Sequence, residues 1–200
     1  MFRVFKVYSI AAVVMFIVSG CFSYSMTAYK IYPKIKTVDY KDICRGKTLS
    51  VGKIFTAHGV MLEEMKYATQ DYKEFSYTES EWANKPSREI DRALLRSIRG
   101  ARIFDSVNGY RSHAKSDLRL ETNVYSFMQY YSKDKKESYV DVSFSFSLVN
   151  QKTSKSIKST VISTRVKCET ADAEGGVIAL NHALEIILEK TNIWLSSDCH

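Results

Sequence analysis

Between Val140 and Leu148 the chain alternates without a break. Val140, Val142, Phe144, Phe146 and Leu148 fall on one side, and Asp141, Ser143, Ser145 and Ser147 on the other. A sustained period of two marks a strand with one buried and one wetted face. Leu118-Arg119-Leu120-Glu121 starts a second alternation that runs towards Phe127 and changes register near Asn123, as a β-bulge would make it. Asn150 to Ser154 turns the chain, and Ile157 to Cys168 returns as a β-branched, polar strand. Weaker strand signals lie at Thr48–Phe55, in MKYAT and EFSYT between Glu63 and Glu79, and at Ile103–Val107. Two stretches follow a helical period instead. Ile90, Leu94 and Ile98 predict a helix over Arg88–Arg99, with Ser87 as N-cap behind Pro86 and Gly100 closing it. Asp172 is placed to cap a longer helix, about Ala173–Leu195. Its stripe is Val177, Leu180, Leu184, Ile187, Leu188, Thr191, Trp194 and Leu195. Ile178, Ile186 and Ile193 lie off that stripe. Such a broad flank either fills the groove over a sheet or offers part of itself to another protein. Long strands with short links imply a meander. The expected fold class is therefore α+β, an antiparallel sheet with two helices packed on one face.

The N-terminus has another pattern. Arg3 and Lys6 precede a mostly apolar run, Val7 to Val18, which ends in Ser19-Gly20-Cys21. A positive start, a short apolar centre and small residues make a secretion signal. The run is short for a membrane span, which takes about 20 apolar residues. Val18-Ser19-Gly20-Cys21 resembles a bacterial lipobox, which implies cleavage before Cys21 and lipidation of that residue. Several acyl chains anchor stably where one is marginal. Phe22 after the cysteine, where Asp favours inner-membrane retention, points to the periplasmic face of the outer membrane. The expected organisation is a signal peptide over 1–20, a lipid anchor and tether over 21–43, and an α+β domain over 44–200. Extended, a tether of about 20 residues reaches roughly 65 Å.

Composition narrows the function. The 200 residues suit one domain. The net charge of +7 falls to +5 without Arg3 and Lys6, and the surplus reads as scattered. No element stands out as a nucleic-acid footprint. The run Lys133-Asp134-Lys135-Lys136-Glu137 mixes signs and reads as a solvated hairpin tip. With Cys21 lipidated, Cys44, Cys168 and Cys199 remain. At most one bridge can form among three, and Cys44 with Cys199 would tie the domain's ends together, leaving Cys168 buried.

No catalytic motif emerges. His58, His113, His182 and His200 form no metal-binding spacing, and the cysteines show no CxxC. Nucleophile-elbow, P-loop and dinucleotide-binding patterns are missing. Gly175-Gly176 opens the last helix, where an anion could rest, but lacks the strand-loop context of a phosphate site. Neither an enzyme nor a cofactor is expected.

With these elements placed, the chain resembles the ABC-type transport auxiliary lipoprotein family, the small lipoproteins of Mce-type lipid transport systems, including the paraquat-inducible C proteins. Tyr29-Lys30-Ile31-Tyr32-Pro33 resembles that family's early Tyr-x-Leu-x-Pro-like stretch. Trp82, Pro86, Ile90, Leu94, Ile98, Phe104 and Val107 follow its order of Trp, Pro, helix and Phe-x-x-Val. Asp117, Leu118, Leu120 and Phe127 match its sheet, and Ala183, Leu184, Ile187, Trp194 and Leu195 its closing helix. Ser87-Arg88, where relatives often carry an apolar residue, and Asp198-Cys199-His200 depart from the pattern.

The resemblance implies a docking role without catalysis. The expected partners are a periplasmic Mce-domain protein and an ABC permease and ATPase that move phospholipids or other hydrophobic molecules between membranes. The membrane is reached through the lipid anchor, and a homo-oligomer stays open. Trp82 and Trp194 are the aromatic candidates for the partner interface, although the first expectation for Trp82 is packing over the following helix. The competing function is a lipoprotein that assists an outer-membrane β-barrel or lipopolysaccharide assembly.

Overall fold

The computed structural model describes residues 25–197, apart from residues 37, 42, 57 and 72. Its strands are β1 (Thr27–Tyr29), β2 (Cys44–Val51), β3 (Phe55–Thr56), β4 (Glu64–Thr69) and β5 (Glu74–Trp82), with a 3-10 turn at His58–Met61. Helix α1 (Pro86–Ala101) follows, then β6 (Phe104–Gly109), β7 (Leu118–Tyr131), β8 (Ser138–Asn150) and β9 (Lys155–Lys167). Helix α2 (Ala173–Ser196) closes the order. The architecture is α+β.

The sheet is organised around β7. One edge of β7 pairs along its length with β8, and β8 with β9, both antiparallel. The expected bulge is present. Val124 pairs with Phe144 but Ser126 with Ser143, so Tyr125 is skipped and stands 63% exposed. Inward positions therefore switch from Leu118, Leu120 and Val124 to Phe127, Gln129 and Tyr131. The other edge of β7 is divided among three short parallel partners. These are β2 at Leu118–Leu120, β3 at Asn123–Val124 and β4 at Gln129–Tyr131. β6 extends the first branch, and β5 and β1 the third. The sheet is thus mixed: antiparallel through its long strands and parallel where it branches. Short strands paired to different parts of one long neighbour leave little room for alternation, which is why that half of the pattern is faint.

The inward side chains of β7 and β8 meet both helices in a single core that includes Phe144, Phe146, Leu184, Ile187, Ile90 and Leu94. Across the helix pair Asn192 Nδ2 donates to Ser97 Oγ at 2.9 Å. Asp172 caps α2 as expected, its Oδ1 accepting the Gly175 N–H at 2.8 Å. α1 starts earlier than its pattern suggests. Pro86 occupies the first turn, where its fixed φ and missing N–H cost nothing, so Ser87 is inside the helix and Lys85 precedes it. The helix ends at left-handed Arg102 (φ 49°) and not at Gly100.

Of the stretch expected as anchor and tether over 21–43, the described residues from Thr27 on are packed against the domain and do not hang free. From Thr27 the chain belongs to the domain. β1 pairs with Ser80–Trp82 of β5, and the following residues form a strap over both helices. Ile31 is 5% exposed and Pro33 is buried. The Tyr32 N–H donates to Asn181 Oδ1 and the Lys34 N–H to Glu185 Oε1, each at 2.6 Å. The Tyr40 N–H reaches the Ala101 carbonyl at 2.9 Å, ending the strap at the far end of α1. The segment lacked a period because it follows the surface of other elements instead of pairing with neighbours in sequence.

Candidate functional site

Of the residues singled out in the sequence, Cys21, Cys199 and His200 lie outside the described residues. Cys44 is buried and disulfide-bonded, whereas Cys168 is a free, buried thiol. Burial pushes the Cys168 thiol above the usual range. Trp82 does not serve as an exposed aromatic. It is 6% exposed, and its ring lies 6.5 Å from that of Phe127. Its backbone pairs with Tyr29 in the β1–β5 ladder, made by a strand that the sequence pattern left as tether. Trp194 is half-buried. Its ring packs at 6.2 Å from Phe146, and the Lys158 ammonium sits 4.8 Å above it while donating to the Trp194 carbonyl at 2.6 Å. The two tryptophans are thus drawn into separate parts of the core.

Gly175-Gly176 has a packing explanation. A Cβ on Gly175 would lie 2.2 Å from the Thr170 carbonyl oxygen, and one on Gly176 1.9 Å from Gln129 Oε1. Gln129 is 1% exposed. Its Nε2 donates to Ser138 Oγ and to the Asp172 carbonyl, each at 3.0 Å, and its Oε1 accepts from Tyr77 Oη at 2.8 Å. Tyr77 and Tyr131 share a hydrogen bond at 2.7 Å beside it. Burial, aided by that neighbour, pushes the Tyr77 hydroxyl far above its usual range, so it stays protonated. This polar plug and the Asp172 carboxylate already occupy the start of α2. Among the described residues no group of three or more His, Cys, Asp or Glu is placed to hold a metal ion. His113 and His182 are both exposed.

The surface feature that the sequence reading missed is on α1. Arg88, Arg92, Arg96 and Arg99 recur at spacings of four, four and three, so they share one face, and all four are exposed. Arg102 continues the row beyond the helix. The row lies in DRALLRSIRGAR, where the apolar half carries the helical period and the arginines fill the other face. Some of these cations have local roles. Arg92 pairs with Glu89 at 2.8 Å, Arg96 lies 5.0 Å over the Tyr32 ring, and Arg99 Nε donates to the Val107 carbonyl at 2.9 Å. Arg102 meets Asp39 at 3.1 Å. Pairs this exposed contribute at most about 1 kcal/mol each. The opposite face of the same helix carries the buried Ile90, Leu94 and Ile98, so the arginine row is held on a rigid element.

At its N-terminal half this row borders a hollow of about 560 Å³. Lys53, Arg88 and Arg111 line it together with Phe55, Met61 and Tyr110. Asp91 lies in the same wall, half-buried, and accepts the Ile54 N–H at 3.2 Å. Burial pushes its carboxyl above the usual range.

The model for the ABC-type transport auxiliary lipoprotein component matches residues 38–190. The chain belongs to this family. Its members are transport auxiliaries, and the match runs from the strap into the last turns of α2. No curated protein matches. Among solved structures, a Xanthomonas campestris protein from a family of unknown function superimposes with a TM-score of 0.73. Identity is 14%, over 84% of this chain and 94% of that one. An uncharacterised protein aligns with a TM-score of 0.65 and 13% identity, covering 85% of this chain and 98% of its own. At such identities the likeness is one of fold.

Proposed function

We propose that this member of the family is a lipid-anchored auxiliary of an Mce-type ABC system that moves phospholipids or other hydrophobic molecules between the envelope membranes. It acts by docking and not by catalysis. The family match over residues 38–190 carries this reading. The exposed arginine row of α1 supports it, because a rigid cationic face gives orientation and rapid encounter with an acidic protein surface. The occupant of that face is the periplasmic Mce-domain protein, and the permease and ATPase complete the assembly. Cys21 is the lipidation site and Phe22 directs the protein to the periplasmic face of the outer membrane. Cys199 is the partner of the disulfide-bonded Cys44, since Cys168 is free and Cys21 is given to lipid. Peptide mapping without reductant should recover a Cys44–Cys199 fragment. A Cys44–Cys21 fragment would overturn both assignments.

The strap changes how the anchor works. Only five residues separate Cys21 from Thr27, where β1 begins. At full extension the six Cα–Cα steps reach about 20 Å, so the domain rides close to the lipid surface. Envelope fractionation and deletion test the function. The chain should float with outer-membrane vesicles, Cys21→Ser should leave that fraction, and deletion should sensitise cells to detergent. Unchanged flotation of Cys21→Ser together with a detergent-resistant deletion strain would contradict the proposal.

A further inference from the structure

The hollow at the start of α1 combines two kinds of wall. Three cations, Lys53, Arg88 and Arg111, form no ion pair with an acid among the described residues. Beside them Phe55, Met61 and Tyr110 are 63%, 41% and 45% exposed. Arg111 Nε donates to Tyr110 Oη at 3.1 Å and its guanidinium lies 5.5 Å from that ring, so cation and aromatic wall adjoin. Large apolar side chains left in water around a concavity, next to cations in excess over acids, match neither a purely polar nor a purely apolar ligand. A free phosphate makes no use of the apolar wall, and a neutral hydrocarbon makes no use of the cations. The volume, about 560 Å³, lies within the usual range of about 300–1,000 Å³ for small-molecule sites. Asp91, the acid in the wall, accepts the Ile54 N–H and also feels the Lys53 charge, so one acid faces three cations there and the local charge stays positive.

We propose that this hollow binds an amphipathic anion of the phospholipid class, with its phosphate among Lys53, Arg88 and Arg111 and its apolar part against Phe55, Met61 and Tyr110. The site goes beyond docking. It gives the auxiliary its own contact with an anionic lipid, and it needs no partner protein to be occupied. Guanidinium groups suit the phosphate because their planar donors meet two oxygens at once. The apolar wall then discriminates a lipid from a soluble phosphate ester.

Calorimetric titration of the full mature chain in a neutral detergent tests this with short-chain, water-soluble probes. Dihexanoyl-phosphatidylglycerol should bind saturably. Dihexanoyl-phosphatidylcholine, whose head is zwitterionic, and inorganic phosphate should each bind at least about tenfold more weakly. Arg88→Glu combined with Arg111→Glu should weaken phosphatidylglycerol binding by about tenfold or more, with unchanged circular dichroism and melting, since both side chains are exposed. Phe55→Ser, also at an exposed site, should weaken that probe while leaving the small phosphate response unaltered. Equal binding of the two lipids, or full affinity in the double variant, would overturn the proposal. Either result would leave partner capture by the α1 face intact, so the two readings fail separately.

Discussion

Gln129 shows how one residue fixes the start of a helix. Its amide fills the space where a Cβ on Gly176 would stand, and its bonds to Ser138, Asp172 and Tyr77 keep it there. Gly176→Ala should therefore destabilise the domain by about 1–3 kcal/mol, as overpacking does. The cost should be smaller when Gln129→Ala is already present, because the clash partner is gone. Chemical denaturation of the four-member cycle measures this, and strict additivity would refute it. The glycine pair was legible as a signal, but its cause was not: Gln129 lies far away in sequence on a buried strand position that a polarity pattern assigns to solvent. Asp117 is a second instance. Thr48 donates to Asp117 Oδ2 through its N–H at 3.0 Å and its hydroxyl at 2.8 Å, and the Asp117 N–H donates back to the hydroxyl at 2.9 Å. These bonds hold the carboxyl below its usual range. A depressed carboxylate stabilises the fold above its unfolded-state pKa and loses that contribution as pH falls through its folded value. Thr48→Val should consequently melt lower than the parent at pH 7. The part of that gap due to Asp117 ionisation should shrink under acid, and a gap that widens on acidification would contradict the assignment.

At the scale of elements, the long strands were readable and the branched edge was not. β7 and β8 each turn one face to the core over many residues, so alternation and even the bulge at Tyr125 show in the sequence, whereas β9 buries only Ile162. The short strands β2, β3 and β4 take their places from β7, which no local pattern encodes. The strap is the extreme case. Its anchors, Asn181 and Glu185, are about 150 residues away. Were residues 30–41 a loose tether, truncating Ile31 would be silent. In the observed packing Ile31→Ala should cost about 2 kcal/mol or more, whereas Tyr32→Ala, which loses chiefly its contact with Arg96, should cost about 1 kcal/mol or less. Thermal melts of the two variants decide between these pictures, and equal, negligible shifts would restore the tether.

For the whole molecule, the strap and the arginine row together define an orientation. Under the proposed lipidation, an anchor at Cys21 with five residues between it and β1 would keep the domain near the membrane, while α1 presents its cations on an exposed face. The outer face of β8 and β9 is different in character, lined with serines and crossed by the Asp141–Arg165 pair at 2.7 Å. Only one of these surfaces should meet the transport machine. Site-specific photocrosslinking in intact envelopes tests that choice most directly, with the crosslinker at Arg96 on α1 or at the exposed Ser159 on β9. The account predicts capture of the periplasmic Mce-domain protein from position 96 and none from position 159. Capture of that protein from position 159 alone, or of a β-barrel protein from position 96, would contradict it.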